Sequence, residues 1–476
     1  MNTDLQNNIN KLFKSWATEN AIKIIPLPQS GSSRKYFRLT SKTANAIVAL
    51  NKNQKENQAF ISFAKHFYAS GLPVPQILAE DLGNNIYLQE DLGDMTLFNL
   101  LLEEGYTEKV KSYYKQALSI LPKFQIEAGK KLDYSICYPR DSFDEQSILW
   151  DLNYFEYYFL KLADIQFDEQ KLENDFKTFS NYLAGADADY FMYRDFQSRN
   201  ILIKDEELFF IDFQGGRKGA LQYDVASLLW SARANLPFQE REELLNHYLD
   251  ELKKYTSVNE DEFKKYYYGF VLIRILQTLG AYGYRGFYER KDHFLKSIPF
   301  AIDNLEWLIE NQKLNLKGDE LFYAITQLIK SDLREKYSEQ KSKLLKVTVT
   351  SFSYKQGIPY DTSGNGGGFV FDCRAIHNPG RYDEYKLLTG KDEKVIEFLQ
   401  SKSDVEKFLK EAWKILLMSI KDYQERGFKN LMVNFGCTGG QHRSVYCAEK
   451  TAKYLFTKPN LEVELIHSQL DKRDDL

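Results

Sequence analysis

At 476 residues, with 43% hydrophobic and 15% aromatic content, the chain can build two or three packed domains, which excludes a wholly disordered protein. Its net charge of −4, from 63 basic and 67 acidic side chains in even mixture, sets up no long-range field for nucleic acid, so RNA binding would need a local patch. The four cysteines (Cys137, Cys373, Cys437, Cys447) lack close metal-type pairs, which argues against a disulfide scaffold and for a reducing cytoplasm. The start has no basic-then-apolar leader and no eighteen apolar residues run uninterrupted, so neither secretion nor a membrane span is expected.

Apolar spacing at Leu5, Ile9, Leu12, Phe13 and Trp16 predicts a first helix, stopped by Pro26 and Pro28. The β-prone runs Tyr36 to Leu39, Ala46 to Leu50 and Ile86 to Leu88 follow, with one helix over about 55–70. Residues 1–92 therefore form a small β-rich lobe. Between two of its strands, Ser30 to Lys35 could lay backbone N–H groups over phosphates, with Ser32, Ser33 and Lys35 as nucleotide-binding candidates, or form a plain turn. Gln89-Glu90-Asp91-Leu92-Gly93 sits between a strand and a helix, as an interlobe hinge does. Gln89 and Asp91 there are candidates for pairing with adenine through the backbone.

Residues 93–328 read as a helical second lobe interrupted by one hairpin, Asn200 to Lys204 and Leu208 to Asp212. Around it, Tyr193-Arg194-Asp195-Phe196-Gln197-Ser198-Arg199-Asn200 and Phe209-Phe210-Ile211-Asp212-Phe213 space an acid, an amide and a second acid as a phosphoryl-transfer site does. A hydroxyl attacking ATP needs a carboxylate to orient it and take its proton, and the phosphates need Mg²⁺ held by oxygen ligands on a fixed frame. Asp195 is the candidate base, with Asn200 and Asp212 as metal ligands; the plain alternative is a capped turn followed by a loop. Kinases usually carry a lysine at the end of the third strand, yet Leu50 is followed by Asn51 and then Lys52. Lys35 or Lys52 takes that duty, or it is absent. Glu56 reads more simply as a surface glutamate than as a lysine partner. Gln277 to Gly286 reads as a glycine-rich helix terminus; the alternative is that an aromatic and an arginine there face a sugar and its carboxylate.

The segments Gly31 to Arg38, Asp195 to Asn200, Ile211 to Gln214 and Tyr223-Asp224 resemble the aminoglycoside phosphotransferase-like kinases over residues 1 to about 325. Within these they look most like the cell-wall amino-sugar kinases of the AmgK type. The resemblance implies a bilobal protein-kinase-like fold and ATP-dependent phosphorylation of N-acetylmuramate or N-acetylglucosamine at the anomeric hydroxyl. It makes Asp195 the catalytic base and gives magnesium to Asn200 and Asp212. Asp224 would buttress the catalytic loop, and Tyr193 stands in place of the family's histidine.

The polar segment Lys330 to Lys343 marks a linker, 329–344. Beyond it, strands at Val347 to Phe352, Phe369 to Asp372, Leu431 to Phe435 and Val463 to Ile466 alternate with helices near 394–426 and 443–456. This predicts a separate α/β domain, 345–476, with a largely parallel sheet. Leu431 to Gly436 runs as a strand into Cys437-Thr438-Gly439-Gly440-Gln441-His442-Arg443-Ser444 and then a helix, a layout that offers converging N–H groups and an arginine fork to a phosphate. The same string satisfies Cys-x₅-Arg-Ser, the cysteine-phosphatase arrangement, which would also need an acid such as Asp361 or Asp372.

Together with Ser351 to Pro359, Phe371 to Arg374, Asn378-Pro379 and Leu388 to Gly390, that loop resembles the C-terminal domain of the RapZ RNase adaptor family. The resemblance implies glucosamine-6-phosphate binding by Cys437, Thr438, Gly439, Gly440, His442, Arg443 and Ser444. It also implies adaptor or sensor work with RNA or protein partners. The family's nucleotide-binding domain is replaced here by the kinase-like region, and the end, Asp471 to Leu476, is more acidic than basic, which argues against RNA.

The expectation is a cytoplasmic, ATP- and Mg²⁺-dependent amino-sugar kinase with a phosphosugar-sensing domain, serving cell-wall recycling and compatible with a homo-oligomer. Its rivals are a pseudokinase adaptor for RNA or protein and a kinase with cysteine-phosphatase activity.

Overall fold

A computed structural model describes residues 3–28, 34–311, 314, 318–338, 344–361, 368–426 and 428–470. The chain divides into two units, one of residues 1–289 with 293–338, the other of 339–476 with 290–292.

The first unit opens with strands β1 (Lys23–Pro26), β2 (Lys35–Thr40), β3 (Asn45–Leu50), β4 (Ile77–Asp81) and β5 (Ile86–Glu90). They form one five-stranded antiparallel sheet ordered β1-β2-β3-β5-β4. Ala46 to Ala49 are all buried, although an antiparallel strand with one wet face would alternate. The reason is that both faces are covered. Ile9 and Phe13 of the Thr3–Ala17 helix share a core with Val48 and Leu88, while Phe60 and Ala64 of the Gln54–Ala69 helix share the main core with Ala49 and Tyr87. The Asn53 side chain caps that second helix by accepting the Glu56 N–H.

The rest of the unit is helical, apart from two small antiparallel pairs: β6 (Tyr190–Met192) with β9 (Arg217–Gly219), and the hairpin of β7 (Ile201–Lys204) and β8 (Glu207–Phe210). The long Glu260–Tyr282 α-helix ends inside the glycine-rich stretch, as expected, and passes at Gly283 into a π-helical turn over Gly283–Tyr288. The glycines also serve close packing. A Cβ on Gly280 would press on Tyr154 and Phe155, and one on Gly283 would overlap the Tyr158 carbonyl oxygen. Small residues let this helix lie directly against the Glu145–Phe155 helix and its own π-helical extension, Glu156–Leu160.

In the second unit, β10 (Leu345–Ser353), β11 (Phe369–Asp372), β12 (Asn430–Cys437) and β13 (Leu461–His467) form a four-stranded sheet ordered β11-β12-β10-β13. Every pairing is parallel, as the alternation of strands and helices predicts. Helices Glu393–Lys402, Val405–Glu425 and Arg443–Leu455 complete a core built on Val347, Val433, Leu409 and Leu416. Open parallel sheets place their sites at the carboxyl ends of the strands, and β12 ends there at Cys437. No helix among the described residues is long and apolar enough to cross a membrane.

Candidate active site

The loop from β6 to β7 and the segment after β8 carry the three oxygen-bearing side chains of the first candidate site. Asn200 Nδ2 donates both to the Asp195 carbonyl oxygen, at 2.9 Å, and to Asp212 Oδ2, at 3.2 Å. One amide therefore ties the candidate base's backbone to the second acid. Using its nitrogen this way orients the carboxamide. The Asp195 side chain is 41% exposed, open for a reacting hydroxyl, whereas Asp212 is half-buried and takes the Gln214 amide at 2.8 Å. Burial, and then the neighbouring Asp195 charge, push the Asp212 carboxyl above its usual range. Two crowded carboxylates with an amide form a hard-oxygen donor set of the kind Mg²⁺ takes, with phosphate oxygens filling the remaining positions. Among the described residues no group of three or more His, Cys, Asp or Glu clusters as a metal site.

Backbone strain marks the same loop: Arg194 and Asp212 have φ of 78° and 70°, conformations that side-chain-bearing residues rarely adopt without support. At Arg194 the support is Asp224. Its carboxylate accepts the Tyr193 N–H at 2.8 Å, the Arg194 N–H at 2.9 Å and the Gln125 amide at 3.1 Å. Burial raises this acid to about 7 despite the three donors. Tyr193 fills core space and donates its hydroxyl to the Ile211 carbonyl at 2.7 Å, a packing and bracing position.

Three arginines around the catalytic loop escaped the spacing argument. Arg194 pairs with Asp151 at 2.8 Å, and Arg274 lies 3.6 Å from Asp195 Oδ1 while donating to Ser227 at 3.1 Å. Arg217 is buried and donates to the Gly215 carbonyl at 3.0 Å. The first and third flank motifs already noted, but Arg274 comes from a helix far along the chain, and only the fold brings it in.

Of the nucleotide-binding candidates, Ser32 and Ser33 lie outside the described residues. Lys35 is exposed at the start of β2, opposite Leu50, and Lys52 is exposed too. Gln89 is buried within β5, and the Asp91 carboxylate pairs with Arg38 at 2.7 and 3.0 Å. Arg38 also grips Asp94, at 2.7 and 2.9 Å. Glu56 is not a surface residue with nothing to hold, which corrects the simpler reading: it accepts from Arg34 at 2.8 Å and from Asn51 at 2.9 Å. Arg34 is 3% exposed.

At the second candidate site, Cys437 Sγ lies 3.2 Å from the Gly440 N–H and 3.2 Å from Ser444 Oγ. Gly440 has φ +68°, and a Cβ there would crowd Ser353 and Gln469, so the turn depends on glycine. Thr438 and Gly439 form the exposed tip, and the Thr438 carbonyl accepts from Ser353 Oγ at 2.7 Å. His442 is bound through Nε2 to the Tyr385 carbonyl at 2.8 Å. Arg443 opens the Arg443–Leu455 helix but turns inward: it is 5% exposed, and Nη1 donates to the carbonyls of Arg374 and Ile376 at 2.9 and 3.0 Å. The loop thus offers backbone and cysteine more than an outward arginine fork. Of the acids considered for hydrolysis, Asp372 is gripped by Arg374 at 2.7 Å, which holds its carboxyl below the usual range and makes it a poor proton donor.

A phosphotransferase enzyme family model matches residues 23–260, and a RapZ C-terminal domain model matches residues 345–471. A nucleotide-binding protein of Bacillus velezensis is 32% identical over 190 residues, which are 39% of this chain and 61% of that protein. Another, from Bacillus cytotoxicus, is 36% identical over 159 residues, 33% of this chain and 49% of that one. The chain thus spans less than two thirds of the length of these curated relatives. Among solved structures, a choline kinase from Cryptosporidium parvum is 13% identical, with 67% of this chain and 99% of that one covered and a TM-score of 0.46.

Proposed function

We propose, from the premise that the chain belongs to the phosphotransferase enzyme family, that it transfers the γ-phosphoryl group of ATP to a sugar hydroxyl, in an amino sugar such as N-acetylmuramate or N-acetylglucosamine. The RapZ-type C-terminal domain binds a phosphosugar and reports on the product or a related metabolite. One observation carries the reading: the Asn200 amide fastens the Asp195 backbone to the Asp212 carboxylate, so that base and metal ligands share one frame.

In this mechanism the exposed Asp195 carboxylate accepts a hydrogen bond from the sugar hydroxyl, orients it in line with the γ-phosphorus and takes its proton as the new P–O bond forms. Asp212 and the Asn200 carboxamide oxygen would hold Mg²⁺, which when bound neutralises charge on the phosphates. Asp224 keeps the loop strained and aimed by fixing two successive N–H groups.

The test is ATP consumption with N-acetylmuramate and N-acetylglucosamine. Asp195→Asn should slow turnover about 10²–10⁴-fold, the usual contribution of a positioned base, with the fold retained. No sugar-dependent turnover in the unaltered protein would leave the pseudokinase adaptor as the better reading.

A further inference from the structure

Kinases set a lysine from the third strand against a glutamate on the following helix, and that lysine reaches the α- and β-phosphates. Here the helix glutamate is present as Glu56, but the strand position holds Asn51, which donates its amide to Glu56 Oε2 at 2.9 Å. The other oxygen, Oε1, takes Arg34 Nη2 at 2.8 Å. A cation therefore occupies the lysine's place against the glutamate, delivered from the residue before β2.

We propose that Arg34 supplies the positive charge of the missing lysine, touching the α- and β-phosphates of ATP while Glu56 and Tyr36 hold it in place. This rests on the ATP-dependent reading above. Several observations tie the guanidinium to the segment that carries Asp212. Arg34 Nη1 donates to the Tyr36 hydroxyl at 3.1 Å, and its Cζ stands 5.7 Å over the Phe60 ring. Phe60 in turn stacks face to face on Phe213, with centroids 4.9 Å apart and planes 4° from parallel. Phe213 directly follows Asp212, the candidate metal ligand.

The chemistry favours arginine. A buried lysine loses its proton readily, whereas guanidinium stays charged and matches phosphate oxygens with its planar fork. A buried ion pair is weak evidence of stabilisation, since desolvation cancels much of its attraction. An anionic ligand beside Arg34 gives this pair a function that packing alone does not. Lys35 and Lys52, both exposed, lack that setting.

The experiment measures ADP and adenosine affinity by calorimetry on the full chain with magnesium, for the unaltered protein, Arg34→Gln and Arg34→Lys. ADP should weaken tenfold or more in Arg34→Gln and less in Arg34→Lys, while adenosine shifts less than twofold in both. Equal losses for ADP and adenosine would mean a packing role and overturn the proposal, as would unchanged ADP affinity or an unaltered protein that binds no ADP. If Arg34→Gln does not fold by circular dichroism, Arg34→Lys decides: ADP must weaken at constant adenosine affinity. Sugar phosphorylation is scored separately, so a protein that binds ADP through Arg34 but consumes no ATP would refute the kinase reading and leave this one standing.

Discussion

Replacing Asp224 by asparagine tests the loop buttress and yields an opposed pair of outcomes. Asp224 is fully buried, and its carboxyl titrates at about 7 in the fold against an ordinary 3.8 in the unfolded chain. Between about pH 4 and 7 the folded state therefore keeps a proton that the unfolded chain has released. Stability from this group is present below pH 4 and falls as pH rises toward 7, by about 1.4 kcal/mol per pH unit and about 4 kcal/mol in all. Asparagine does not titrate, and like the protonated acid it offers one good acceptor to the Tyr193 and Arg194 N–H groups. Asp224→Asn should match the unaltered protein near pH 4.5 and exceed it by a few kcal/mol at pH 8, while losing turnover because one strained N–H has lost its carboxylate. Chemical denaturation of both proteins at half-unit pH steps isolates the effect, since subtraction cancels the other titrating groups. A difference flat from pH 5 to 8, or a variant less stable at pH 8, would refute the argument that burial dominates at this site.

Gly283→Ala sets helix propensity, which favours alanine by about 1 kcal/mol, against overlap with the Tyr158 carbonyl, which overpacking puts at about 1–3 kcal/mol or more. Backbone cannot rotate away, so a net loss is expected in urea unfolding, and a gain would contradict the packing described. At the second site, a Cβ on Gly390 would overlap the His442 carbonyl and crowd the Tyr446 N–H; Gly390→Ala should weaken glucosamine-6-phosphate binding at least tenfold by calorimetry with kinase turnover intact. Cys437→Ser removes the sulfur that the Gly440 N–H and Ser444 approach. Any phosphate-ester hydrolysis by this domain should vanish with it, and hydrolysis that persists would rule out a thiolate nucleophile.

Much of the frame was legible because its signals are local. The hairpin of β7 and β8 follows from two β-prone runs around Asp205-Glu206, and the parallel sheet of the second unit from alternation of strands and helices. Asp195, Asn200 and Asp212 could be read as a set because they sit within eighteen residues, on one loop and one strand end. What escaped is non-local. Arg274 reaches Asp195 only through the docking of a helix some eighty residues away, and no periodicity encodes that. Glu56 has no lysine at the expected spacing, and its partner Arg34 lies just before β2. The glycines at 280, 283 and 286 carry the usual signature of a helix end, and their missing side chains are also used sideways, where another helix leans in.

The Arg38 clamp on Asp91 and Asp94 has a mechanical consequence for the connection between the two lobes. Residues up to Asp94 are strapped to the β-sheet by ion pairs, while the very next carbonyl, of Met95, accepts the Ile203 N–H at 2.8 Å, and Thr96 bridges to Leu202. Lys204 of the same hairpin reaches back past the Asp94–Met95 link to the Asp91 carbonyl at 3.3 Å and to Glu90 at 3.4 Å, so both lobes grip the connection. Turning one lobe against the other about that link would first have to break these Lys204 contacts, so the joint is locked from both ends.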